Sequence, residues 1–319
     1  MKCYITHTTK NYEQVTINLA RSISKYSKFP LIVYTVDYDA GEELKKLAFC
    51  RRIDLGVPPP SGNDIHSENG IFYVNRSSHR TYLALSSKID CIIQGIKDGI
   101  TEWVYLDGDC VANLNIDSIF NYSENVKEYP LAPLSPYEYL TVCEKGIWRG
   151  SPFDDENGTV DFKKTLEWPL MKLCGMGPSQ REGNKYKTTN ILLGNVQCLE
   201  FLKVWKELKD ILPKIANLPW YTPFHEETIY NVLTWKYPYH TCMPMVYINI
   251  TGIESILHYL NHNFDKVYHA GITIDPQTGE KMSDYLSYPS EKDLIKVFHG
   301  EKRTEEVNKI FNILDNLKK

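Results

Sequence analysis

Hydrophobic positions along the first hundred residues switch repeatedly between strand and helix periods. The opening MKCYITHTT reads as a strand expected to finish at Ile5, and residues 12–26 then carry Val15, Leu19 and Ile23 on one helical stripe. Pro30 breaks the chain before LIVYTV, a continuous apolar run suited to a parallel strand covered on both faces. Residues 42–48 predict a short helix, and RRIDL a third strand. Residues 57–70, rich in Pro, Gly, Ser and Asn, predict a loop. Helical spacing returns over residues 78–97, with Leu85, Ile89, Ile92 and Ile96 on one stripe, and stops at Asp98-Gly99 before the apolar WVYL. This alternation predicts an α/β fold, a Rossmann-like, mostly parallel central sheet flanked by helices.

The second half is less regular. Residues 133–188 mix Pro, Gly, charge and aromatics, and GMGPSQREGNKYK (175–187) reads as a loop that orders over a ligand. NILLGN predicts a strand, residues 197–212 a helix, 213–223 an irregular connection and 226–235 a short helix. Residues 305–317 predict a C-terminal helix with Val307, Ile310, Phe311, Leu314 and Leu317 apolar. No repeat or low-complexity segment interrupts this order, so a single domain over 1–319 fits better than two.

Composition narrows the functional classes. With 42% hydrophobic and 24% charged residues, the chain of 319 residues is neither disordered nor a disulfide scaffold. A formal charge of -4 gives no overall basic field for nucleic acid. The eight cysteines are scattered singly without a Cys-x-x-Cys pair, which favours reduced thiols over a zinc ribbon. No run approaches the roughly 20 apolar residues that span a bilayer, and the N-terminus lacks the apolar core of a secretory signal. The expected location is cytoplasmic, with peripheral membrane contact left open by the apolar last helix and its Lys318-Lys319 end.

The chemistry concentrates at Tyr105-Leu106-Asp107-Gly108-Asp109-Cys110-Val111. Residues i and i+2 of a strand share a face, so Asp107 and Asp109 direct two carboxylates to one point at the carboxyl end of an apolar strand. Two hard oxygen donors there suit manganese or magnesium carrying a substrate's phosphates.

An apolar strand ending in Leu-Asp-x-Asp, about a hundred residues after an N-terminal βαβ unit, resembles the A-type (GT-A) fold of nucleotide-sugar glycosyltransferases, and most closely the retaining family 8 enzymes. The resemblance extends to ITHTTKNY, where Thr6, His7 and Thr8 match the nucleoside-holding strand end and Tyr12 the tyrosine that stacks on uracil. Lys88, 19 residues before Asp107, matches a basic residue of the sugar-phosphate region. Thr188-Thr189-Asn190 before ILLGN resembles the strand beside the donor sugar, and His225-Glu226-Glu227-Thr228 stands where the family has Asp-Gln-Asp. His299-Gly300-Glu301-Lys302 is similar to a compressed form of the C-terminal His-x-x-Gly-x-x-Lys-Pro segment.

The resemblance implies a metal-dependent hexosyltransferase, retaining in outcome, that moves a sugar from a UDP-sugar to a glycan, glycoconjugate or other hydroxyl acceptor. Its metal, Mn2+ or Mg2+, would be held by Asp107, Asp109 and His299, with His269 the competing histidine and Asp107 alternatively on the ribose. Asp107, Gly108, Lys88 and Lys302 would meet the nucleotide diphosphate. Asn190 with Glu226 or Glu227 would line the reactive face. On this reading residues 1–115 form the nucleotide-binding half, 116–289 the donor- and acceptor-binding half with irregular acceptor-side elaboration, and 290–319 a metal- and phosphate-binding segment with the last helix. Two alternatives stand beside it: a non-catalytic carbohydrate-binding protein, and a haloacid-dehalogenase-type phosphatase using Asp107-Gly108-Asp109-Cys110-Val111.

Overall fold

The computed structural model describes residues 1–59, 79–108, 110–112, 116–132, 167–177, 179, 187, 189–215 and 225–236. It also gives the backbone of short strands at 65–68, 71–74, 140–142, 147–149 and 267–269. In chain order the elements are β1 (Lys2–Thr8), α1 (Glu13–Tyr26), β2 (Leu31–Val36), α2 (Glu42–Leu47), β3 (Phe49–Ile53), β4 (Ile65–Glu68), β5 (Ile71–Val74) and α3 (His79–Lys97). There follow β6 (Glu102–Leu106), β7 (Cys110–Ala112), β8 (Leu140–Val142), β9 (Ile147–Arg149), α4 (Glu167–Leu173), β10 (Ile191–Asn195), α5 (Leu199–Ile215), α6 (His225–Trp235) and β11 (Val267–His269).

The central sheet has the order β10-β6-β1-β2-β3. Its strands β3, β2, β1 and β6 run parallel and β10 runs antiparallel to β6. Every residue of LIVYTV is buried, as an interior strand covered on both faces requires. On one face Tyr4 stacks edge-on against Phe120 at 5.4 Å and its hydroxyl donates to Asp117 at 3.0 Å, tying β1 to the 3-10 segment Asp117–Asn125. The other face is covered by α3, behind which α5 and α6 meet through Trp205 and Tyr230, ring centres 5.2 Å apart. Among the described residues no helix is long and apolar enough to cross a membrane.

Several boundaries differ from expectation for identifiable reasons. β1 continues past Ile5 to Thr8, because Thr6, His7 and Thr8 stay in register with Val33, Tyr34 and Thr35. β3 is FCRRI rather than RRIDL. The Asp37 carboxylate, on a residue with φ of 59°, accepts the amides of Leu55, Gly56 and Val57 at 2.7–3.1 Å and bends the chain away after Ile53. The expected loop over 57–70 contains β4, which pairs antiparallel with β5 through Glu68↔Ile71. The intervening Asn69-Gly70 is a two-residue hairpin signal. A second hairpin, β8–β9, and α4 lie within the stretch expected to be irregular.

Helix α5 runs through Pro213 to Ile215 instead of ending at Leu212. Proline has no N–H to give the carbonyl of Lys209 four residues back, and the buried Tyr82 hydroxyl of α3 donates to that carbonyl instead. The C-terminal helix 305–317, most of 175–187, and Asp109, Thr188, His299 and Lys302 lie outside the described residues.

Candidate active site at the switch point of the sheet

From β1 the chain proceeds to β2 and β3 on one side, whereas β6 lies on the other. This reversal opens a crevice at the carboxyl ends of β1 and β6, the place where open α/β sheets bind ligands. Antiparallel β10 brings its first residue opposite the last of β6, Ile191↔Leu106. The Asn190 carbonyl therefore accepts the Asp107 amide at 2.9 Å, and Asn190 sits half-buried at the same edge.

Lys88 reaches this edge from α3. Its ammonium lies 3.3 Å from Asp107 Oδ1 and 3.4 Å from Glu226 Oε1, and donates to the Thr189 carbonyl and hydroxyl, both at 3.4 Å. Glu227 accepts the Thr189 amide at 2.8 Å and its hydroxyl at 3.3 Å, so the first turn of α6 fixes the chain just before Asn190. Lys88, Glu226 and Glu227 are all buried.

Burial works against the Lys88 charge, but the surrounding Asp107, Glu226 and Glu227 outweigh it and hold the ammonium above its ordinary range. For Glu227 burial dominates, aided by Glu226 and Asp107 against the pull of the Thr189 amide and Lys88. Its carboxyl is pushed up to about 7.

Behind Asp107 lies a short polar chain. Tyr105, two residues earlier on the same strand face, places its hydroxyl 3.1 Å from Asp107 Oδ1. The Tyr105 hydroxyl is also 2.8 Å from His7 Nδ1, and His7 Nε2–H donates to the Ala84 carbonyl at 2.8 Å. Burial, helped by Lys88, lowers the His7 pKa to about 4, so the ring is neutral near pH 7. Its Nδ1 is then an acceptor, and the single phenol proton serves either the ring or the carboxylate.

Gly108 closes the turn over α1. A Cβ there would lie 2.7 Å from Thr16 Oγ1 and 3.2 Å from the His7 carbonyl, so only glycine lets the turn pack this closely. The remaining candidates line the β1 side. Thr6 and Thr8 are buried with hydroxyls donating to the His7 and Thr9 carbonyls at 3.5 and 3.2 Å. Tyr12, half-buried, opens α1 beside exposed Asn11. Arg80 of α3 donates to the Pro58 carbonyl at 2.6 Å and to Asn11 Oδ1 at 3.3 Å, drawing α3 to this rim.

No protein-family model and no curated protein matches the chain. Solved glycosyltransferases resemble its fold. A galactosyltransferase, LgtC, in complex with donor and acceptor sugar analogues is similar over 73% of this chain and 70% of its own, with 14% identity and a TM-score of 0.43. Mouse xyloside xylosyltransferase 1 in its apo form is similar over 84% and 97%, with 12% identity and a TM-score of 0.45. Likeness at these values leaves function to be argued from the residues themselves.

Of the expected site residues, the structure brings Asp107, Lys88, Asn190, Glu226 and Glu227 together at one edge. Thr6, His7, Thr8 and Tyr12 lie on or just beyond β1. Antiparallel pairing of β11 with β7 sets the backbone of His269 opposite Cys110, one residue beyond Asp109. Among the described residues no three acidic, histidine or cysteine side chains gather as a metal site. The donor chemistry nevertheless suits a hard divalent ion: Asp107 keeps a partly exposed carboxylate at the crevice mouth, and Asp109 follows two residues on in the sequence. Tyr105 and Arg80 were not among the expected residues. Tyr105 was detectable as the residue two before Asp107, hence on its face of the strand. Arg80 carried no such signal.

Proposed function

We propose that the protein is a divalent-metal-dependent glycosyltransferase that moves a sugar from a nucleotide-diphosphate sugar, a UDP-sugar, to a hydroxyl acceptor on a glycan or glycoconjugate, with retention of configuration. The observation carrying this reading is the Asp107–Lys88–Glu226 cluster at the carboxyl edge of β6, beside Asn190 and Glu227. It puts oxygen donors, a cation and an amide where the switch point exposes a ligand.

In this reading Asp107, Asp109 and one histidine would hold Mn2+ or Mg2+. The histidine would be His299, with His269, whose backbone pairs opposite Cys110, the competing candidate. The ion would neutralise charge developing on the diphosphate leaving group. Lys88 holds Asp107 and Glu226 in fixed relation, and Lys302 would meet the phosphates from the C-terminal segment. Asn190 and Glu226 face the donor sugar and stabilise positive charge at its anomeric carbon. Glu227 anchors the Thr189 backbone so that Asn190 is held in place before substrate arrives. Tyr12 and Asn11, with Arg80, supply a flat ring and hydrogen-bonding groups for the nucleoside.

UDP release from a panel of UDP-sugars with Mn2+ tests the reading. One or more donors should be turned over by the wild type and none by Asp107→Asn. Binding of sugar that ignores both UDP and metal would instead indicate a carbohydrate-binding protein, and metal-dependent release of phosphate from phosphomonoesters a phosphatase.

A further inference from the structure

Tyr105 is fully buried, yet it carries a hydroxyl where phenylalanine would pack equally well. A buried hydroxyl is costly unless it is bonded, so its partners explain its presence. It lies 3.1 Å from Asp107 Oδ1 and 2.8 Å from His7 Nδ1. The His7 ring stacks at 26° to the phenol, centroids 5.9 Å apart, and is anchored through Nε2 to the Ala84 carbonyl of α3. The phenol face also lies beneath the Lys88 ammonium, 5.4 Å from the ring centre, a distance at which ring and cation attract. One aromatic side chain therefore touches both charged groups at the crevice mouth, and its own position is set by a neighbouring strand and a helix.

We propose that Tyr105, its ring seated against His7 and its phenol proton directed to Asp107, is a positioning residue: it fixes the Asp107 carboxylate and the Lys88 ammonium in the arrangement that accepts a divalent cation. This rests on the reading of Asp107 as a cation ligand. Tyr105 is fully buried and acts through its neighbours, and the contact with His7 holds its ring. Their contribution is that the carboxylate does not have to be ordered when the ion arrives, and outer hydrogen bonds of this kind typically change metal affinity by about 10-fold or more.

The test uses full-length protein and Mn2+ in the presence of UDP, with free Mn2+ followed by electron paramagnetic resonance. Affinity for UDP without metal and the thermal midpoint are measured in parallel. Tyr105→Phe keeps the ring and removes only the hydroxyl. It should weaken Mn2+ binding about 10-fold while leaving metal-free UDP affinity within two-fold of wild type, as order-of-magnitude expectations. His7→Asn should shift Mn2+ affinity in the same direction; because His7 also stands at the nucleoside-holding strand end, it is read by Mn2+ affinity against the thermal midpoint, and it replaces Tyr105→Phe if that variant does not fold. Wild-type protein that binds no Mn2+ would overturn the cation reading and this inference with it. Wild-type Mn2+ binding matched by both variants, or equal losses of Mn2+ and metal-free UDP affinity in Tyr105→Phe, would overturn the positioning role alone.

Discussion

Replacing Lys88 by methionine removes the one described cation from a buried cluster of carboxylates and keeps most of the side-chain volume. The ammonium lies 3.3 Å from Asp107 and 3.4 Å from Glu226. At an effective dielectric of about 20, each such pair attracts by roughly 5 kcal/mol before desolvation is subtracted. Removing one partner of a buried ion pair costs a net 3–5 kcal/mol or so, because the other charge stays buried without compensation. We therefore expect Lys88→Met to lower unfolding free energy by about 3 kcal/mol at pH 8. The pH dependence gives a second handle. The stability contributed by the raised Lys88 pKa is present throughout the neutral range and fades only in strong alkali. Glu227 behaves oppositely to a salt-bridged acid: its raised pKa contributes stability at low pH that is lost as pH climbs through about 7. Lys88 pulls the Glu227 carboxyl down, so without it that group takes up a proton still more readily, and the cost of the substitution should shrink between pH 8 and pH 5.5. Urea denaturation followed by circular dichroism at both pH values measures this. A cost below about 1 kcal/mol at pH 8, or one that grows on acidification, would refute the argument.

Glu227→Gln should raise stability at pH 8 by about 2–3 kcal/mol, from a shift of a carboxyl up to about 7. The gain should vanish near pH 4, and paired urea titrations would detect it. Gly194→Ala should cost about 3 kcal/mol, because its Cβ would fall 2.1 Å from the ring of buried Trp103. The thermal midpoint is the readout. Asp90→Leu alone should destabilise by about 3 kcal/mol by leaving Lys209, 2.6 Å away and equally buried, with only the exposed Asp210 at 3.5 Å. Adding Lys209→Met should recover most of that loss in the same denaturation assay.

The parallel core was legible because its strands are buried on both faces, and LIVYTV and WVYL therefore read as unbroken apolar runs. Boundaries set by side chains distant in sequence were not. Nothing near Ile53 announces that Asp37 will capture the next three amides, and nothing near Pro213 reveals that Tyr82 will occupy the carbonyl it leaves open. The β4–β5 hairpin was readable in Asn69-Gly70, but the surrounding Pro, Ser and Gly disguised it as loop.

In the site, the aspartate at the end of β6 stood out from strand alternation. The proximity of Lys88, Glu226 and Glu227 to it depends on how α3 and α6 pack, which periodicity does not encode. The face shared by Tyr105 and Asp107 was implicit in their spacing, but its meaning emerged only with His7 alongside, delivered by the neighbouring strand.

The most direct test of the account is calorimetric titration of UDP into the full-length protein with and without Mn2+, repeated on Asp107→Asn. If Asp107 holds the ion, Mn2+ tightens UDP binding in the wild type by about 10-fold or more, a coupling of roughly 1.4 kcal/mol or more, and Asp107→Asn abolishes this tightening while remaining folded. UDP binding by the wild type that is unchanged by Mn2+, or a tightening that survives in Asp107→Asn, would contradict it.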